Sequence, residues 1–132
     1  MSADGGSVGD DVGPGGVHEP GALRDRDELH RWGSISWLTN RARHDLDVTV
    51  GHVEIAVGQS NPLHLHPNCT EVVIVLEGHL RHVVGEREAD LAPGDVLLVH
   101  PGVQHRGTNT GDVPVRLVVV YDSGVREFQA VR

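Results

Sequence analysis

The segment Gly58 to Gly78 constrains this chain more than any other. It carries His64-Leu-His66, a Pro-Asn-Cys-Thr turn, Glu71 and then Gly78. Side chains on a strand alternate between faces with a period of two, so both imidazoles share one face. A carboxylate a few residues on, past a turn, can come back to the same point. A third imidazole is offered by Gly94-Asp95, a run of Val and Leu, then Pro101-Gly102-Val-Gln-His105, followed by Asn109. Neutral imidazoles with one carboxylate suit a first-row divalent ion such as iron, manganese, nickel, cobalt or zinc. The pattern predicts one divalent transition metal held by His64, His66, Glu71 and His105 on a β-barrel.

The remaining sequence reads as short strands with turns between them. Alternation predicts strands at 34–38, 48–57, 62–66, 71–76, 79–84, 88–91, 96–99, 105–109, 115–121 and 125–131. Ala92-Pro-Gly-Asp95 is a turn by its chemistry, since Pro presets one dihedral and Gly tolerates positive φ. Charges spaced three and four apart over 23–31 predict a short helical turn. Such a series makes an all-β sandwich or barrel, and no internal repeat is visible.

Composition bounds the rest. At 132 residues the chain is one domain. Residues 1–22 are Gly- and Asp-rich without apolar periodicity and are expected to be a disordered tail, leaving 23–132 as the folded domain. The net charge of −8 lacks the basic face that phosphate binding needs, so nucleic acid is not an expected partner. No lysine is present, which excludes a lysine Schiff base. The single cysteine, Cys69, excludes an internal disulfide. Without a basic and apolar leader or a membrane-length apolar run, the expected setting is soluble and cytoplasmic. Trp32 and Trp37 precede the histidine motifs, and a homodimer is expected through their segment or through a sheet face.

The histidine segments resemble the two cupin motifs, G-x5-H-x-H-x(3,4)-E-x6-G and G-x5-P-x-G-x2-H-x3-N. The first is matched from Gly58 through His64, His66 and Glu71 to Gly78. The second is matched at Gly94, Gly102, His105 and Asn109, but His100 stands where the motif has proline, with Pro101 one place later. The departure falls in the turn and spares the histidine. The resemblance spans roughly 48–121 and implies a jelly-roll (double-stranded β-helix) barrel with His64, His66, Glu71 and His105 as metal ligands. It implies no one reaction, because this fold hosts many.

The expected function is a mononuclear metal-dependent enzyme acting on a small oxygenated metabolite, by isomerase, cyclase, lyase or dioxygenase chemistry. The ion would serve as Lewis acid or as the O₂ site. The alternative is a non-catalytic barrel that binds or senses a sugar or organic acid. In Leu80-Arg81-His82-Val83-Val84, an outward Arg81 sends His82 inward, where it becomes the candidate acid/base group. Cys69 and Gln104 are further candidates for the pocket lining. Arg106 and Arg116 are the cations weighed for a substrate carboxylate, although parity puts Arg106 opposite His105.

Overall fold

The computed structural model describes residues 10–11 and 15–132. Its strands are β1 (Asp10–Asp11), β2 (Val17–His18), β3 (Glu28–His30), β4 (Gly33–Thr39), β5 (Thr49–Ile55), β6 (His64–Leu65) and β7 (Glu71–Glu77). They continue with β8 (Leu80–Val84), β9 (Arg87–Leu91), β10 (Val96–Val99), β11 (His105–Asn109), β12 (Val115–Tyr121) and β13 (Gln129–Ala130). A six-stranded sheet, β10-β7-β12-β5-β4-β3, faces a five-stranded sheet, β13-β6-β11-β8-β9, and β1 pairs with β2. Every pairing is antiparallel. This is the expected all-β jelly-roll barrel.

Alternation decides what lies inside. Along β5 and β12 every second residue is buried, and β7 keeps the same alternation from Glu71 to Val75. Register aligns these inward sets: Leu117 sits opposite Val53 on one side and Val75 on the other. Ile35, Ile55, Leu80, Leu91, Val115 and Val119 complete an aliphatic core, and Trp32 and Trp37 pack against it. Each such aliphatic side chain contributes about 1.5–3 kcal/mol by leaving water.

Asn109 is a buried polar residue that serves the fold. Its Nδ2 donates to Ile55 O (3.0 Å) and Val113 O (2.8 Å), and its Oδ1 accepts from Gly111 N at 2.9 Å. Asn109→Ala leaves one buried and two partly buried backbone groups without their partner, so a loss of about 2 kcal/mol is expected. That should appear as a Tm fall of roughly 10 °C or more by differential scanning calorimetry. A Tm within a degree or two of wild type would contradict this role.

One local expectation is corrected. Residues 23–31 do not form a helical turn: Gly21–Leu23 is a single 3-10 turn, and β3 pairs with β4 through Glu28↔Ile35, Leu29↔Ser34 and His30↔Gly33. A short charged segment without an apolar stripe gains little as a helix, whereas a sheet edge supplies backbone partners. The helix that does form, α1 (Arg41–His44), starts where Asn40 accepts from Arg43 N (2.8 Å) and stops at Asp45, which is left-handed at φ 54°. The disordered tail expected over 1–22 falls mainly outside the described residues. Toward its end, Glu19 joins the fold by pairing with Arg43 and with His44 (2.5 Å). Among the described residues no helix is long and apolar enough to cross a membrane.

Candidate metal centre

Strand register brings the predicted residues to one place. His64 on β6 pairs directly with His105 on β11, and His66 follows two residues after His64 on the same face. Glu71 opens β7 on the facing sheet, where β12 sets Tyr121 directly beside it. All four predicted donors are buried, and one ligand atom from each lies within 4.8 Å of the others. The imidazole centroids of His64 and His105 are 4.2 Å apart, and those of His64 and His66 are 4.9 Å apart.

Backbone carbonyls fix how the three rings are protonated. His64 Nδ1 lies 2.6 Å from Pro62 O, His66 Nδ1 lies 2.7 Å from Glu127 O, and His105 Nδ1 lies 2.9 Å from Val103 O. A carbonyl oxygen can only accept, so each Nδ1 carries the hydrogen. In the neutral rings each Nε2 then bears a lone pair. Glu71 Oε1 faces two of them, at 2.8 Å from His105 Nε2 and 3.5 Å from His66 Nε2. His66 Nε2, His105 Nε2 and Glu71 Oε1 are buried without a hydrogen-bond partner of acceptable geometry. Acceptors that face one another out of water are unfavourable unless a cation lies among them. The donor set therefore fits a divalent ion of the kind that imidazole and carboxylate ligands select. The carbonyls behind the rings are the outer contacts that orient such ligands.

Tyr121 was not found from the sequence. Its hydroxyl donates to Glu71 Oε2 at 2.8 Å, which satisfies one carboxylate oxygen and leaves Oε1 turned toward the imidazoles. Burial, and then Glu71, holds the Tyr121 phenol well above its ordinary range, so it remains a donor. Burial pulls the Glu71 carboxyl upward, but the facing His105 and His66 outweigh it and the net shift is downward. For His105, burial favours the neutral ring, while the Glu71 carboxylate more than compensates and raises it. Burial first, and then His105, pushes His64 down to about 4.

His82 is inward, as its parity predicts. It is buried on β8, stands opposite Gly107 of β11, and stacks on His105 with centroids 5.9 Å apart. Only a 3.4 Å approach of Nδ1 to Val83 O constrains its ring. Burial lowers it to about 4 against the pull of Glu71, so it is neutral at pH 7. His82 shares a cavity with His64, Glu71, His105, Tyr121 and Arg126. The space there open to the centre of a water molecule is about 50 Å³.

The other candidates fall elsewhere. Cys69 is buried in the aliphatic core and does not line this cavity, with burial raising its thiol. It sits in the turn before β7, where strand parity does not apply. Gln104 is exposed and contributes only its backbone, accepting from Gly85 N at 2.8 Å. Arg106 is exposed, and Arg116 pairs with Glu77 (3.1 Å) and Glu54 (3.4 Å) on the outer face.

The ring states carry a pH dependence. His64 and His82 fall from 6.5 in the unfolded chain to about 4 when folded. Above pH 6.5 both states are neutral. Between 6.5 and 4 the unfolded chain takes up protons that the folded chain refuses, so stability falls on acidification. Each ring accounts for on the order of 3 kcal/mol once the pH reaches its folded value. The lowered Glu71 acts in the same direction as pH falls, whereas the raised His105 opposes it. Calorimetry of chelator-treated protein should show Tm falling steadily from pH 7 to 4.5. A flat profile would contradict the assigned ring states.

Residues 51–121 match the family model described as Cupin_2: Cupin domain. The chain belongs to the cupin family. It is 35% identical over 102 residues to Germin-like protein subfamily 2 member 1 of Arabidopsis thaliana, covering 71% of this chain and 45% of that protein. It is 38% identical over 69 residues to Tetracenomycin polyketide synthase protein TcmJ of Streptomyces glaucescens, covering 52% of this chain and 46% of that one. This cupin thus spans less than half the length of either relative. Among solved structures, the oxalate decarboxylase formate complex of Lactobacillus farciminis superposes with a TM-score of 0.76 at 20% identity. That superposition covers 80% of this chain and 33% of that one, and at such identity it is a likeness of fold.

Proposed function

We propose that this cupin is a mononuclear metal-dependent enzyme acting on a small oxygenated metabolite, with His64, His66, Glu71 and His105 as the ligands. One observation carries the reading. Three buried imidazoles, each with Nδ1–H committed to a backbone carbonyl, gather around a buried carboxylate oxygen that has no donor. A bound divalent ion would supply Lewis acidity toward substrate oxygens. The chain's own residues do the rest. Tyr121 holds Glu71 in orientation, and the aliphatic wall of Val53, Val73, Leu117 and Val119 keeps water from the reacting carbon. His82, neutral and loosely held within the same cavity, accepts or returns a proton. The relative named as a polyketide synthase protein is consistent with an oxygenated carbon substrate.

The test is metal analysis of protein purified without chelator or nickel affinity, followed by turnover screening with the metal found. One equivalent per chain with conversion of an oxygenated metabolite supports the reading. Metal with binding but no turnover across the screen favours the sensing barrel. Protein that holds no metal sinks both forms of the metal assignment.

A second proposal concerns assembly. The outward face of the six-stranded sheet is aliphatic: Leu98, Val72, Val120 and Val50 align across four strands. Beside them lie Val96 and Ile74, with Leu76 farther along β7. Leu98 is 56% exposed and Val96 59%, a continuous patch of the kind that marks an interface. Such a face can cover itself by pairing with a second copy about a two-fold axis. Light scattering at high micromolar concentration should return twice the chain mass, and a monomer there would refute the pairing.

A further inference from the structure

After β12 the chain folds back across the barrel mouth, and its position is tightly specified. The Asn68 side chain brackets one residue of it: Nδ2 donates to Val125 O (2.7 Å) and Oδ1 accepts from Glu127 N (3.0 Å). Glu127 O then accepts from His66 Nδ1, and Phe128 stacks on His64 with centroids 4.9 Å apart. Farther on, Ala130 of β13 pairs with His64 of β6. The bracketed residue is Arg126. Its side chain turns inward to line the cavity that holds His64, Glu71, His82 and His105.

The guanidinium carbon lies 4.8 Å from the Trp37 ring centroid, 5.2 Å from Phe128 and 5.4 Å from Tyr121. Aromatic faces orient a cation but do not neutralise it. Other arginines of the chain are neutralised: Arg41 by Asp47, Arg43 by Glu19 and Asp25, Arg81 by Glu88 and Asp90, and Arg116 by Glu54 and Glu77. Arg126 takes part in none of the ion pairs among the described residues. Its Nε is buried without a hydrogen-bond partner. Glu28, the carboxylate against Trp37, is spent on Trp37 Nε1 (3.1 Å) and His30 Nε2 (2.7 Å). A planar, always-charged fork held toward a small cavity, with no carboxylate paired to it and its Nε unused, matches a carboxylate in shape and charge.

We infer that Arg126 receives the carboxylate of the substrate, which is therefore a small organic acid. This deepens the proposed function and rests on it for the other end of the ligand, where an oxo or hydroxy oxygen would meet the metal. Cavity size agrees. The cavity is small, with about 50 Å³ open to the centre of a water molecule, which suits an acid of a few carbons.

The experiment is isothermal titration calorimetry on protein as purified, after its metal content is measured, with glycolate and its uncharged isostere glycolamide as probes. Glycolate should bind wild type and be preferred over glycolamide. Arg126→Gln should weaken glycolate ~10- to 100-fold, the loss of a charge-assisted pair, while metal content stays at wild-type level. Arg126→Lys should recover part of the loss. Should Arg126→Gln fail to fold, Arg126→Met keeps the stem packed on the rings and takes its place. Equal affinity of wild type and variant for glycolate, equal affinity of wild type for the two probes, or no glycolate binding would each overturn the assignment. A wild type without metal that still binds glycolate through Arg126 separates the two readings, since the metal assignment then fails alone. Full metal with no dependence on Arg126 has the opposite meaning.

Discussion

Replacing His64 and His66 together with alanine should take the metal content from one equivalent per chain to near zero. The substitution removes two of four donors and leaves His105 and Glu71, a pair that cannot surround an ion. Loss of an outer-shell partner alone typically costs ~10- to 100-fold in affinity, and loss of two direct ligands costs more. The barrel should survive, because the core of Ile55, Val73, Val75, Leu80, Val115 and Leu117 makes no use of either ring. Circular dichroism should therefore match wild type while elemental analysis does not. Wild-type metal content separates a metal from a proton, since a cluster bridged by a proton alone would carry no metal at any pH. A double variant that keeps a full equivalent would mean the ion sits elsewhere.

Much of this site was legible because its logic is local. His64 and His66 share a face by strand parity, and Glu71 returns after one turn. His82 could be placed inward from the outward demand of Arg81 alone. Tyr121 was not legible, because its bond to Glu71 spans 50 residues and depends on the β12–β7 register, which includes a bulge after Arg116. Arg126 was hidden for a similar reason. Nothing in its neighbourhood marks it until Asn68 brackets the returning chain and Trp37, Tyr121 and Phe128 gather around its guanidinium. Arg106 and Arg116, nearer in sequence to the motif, drew attention that belonged to it. The β3 segment shows the same limit for secondary structure, since i to i+4 charge spacing is a weak local preference and the open edge of β4 overrode it. What the sequence left unread was whatever required knowing which distant strand or segment becomes a neighbour.

His82→Gln should leave metal content near one equivalent and lower turnover by ~100-fold or more, the usual cost of a lost general acid/base. Two observations separate His82 from the ligands. Its ring lies beside His105 in a stacked arrangement, and it is absent from the group whose donor atoms converge within 4.8 Å. Gln approximates the size of the imidazole and retains hydrogen-bonding capacity, so the wall of β8 against Gly107 should stay filled. It cannot take up a proton near neutral pH. The pH profile should change as well: the wild-type rate should fall on the acid side as His82 is protonated, at a pH shifted down from 6.5 by burial. The residual rate of the variant should lack that His82 limb. Unchanged turnover in His82→Gln would reduce the residue to a polar piece of the barrel wall. Loss of metal would make it a fifth ligand, and the proton would then have to pass through another group in the cavity.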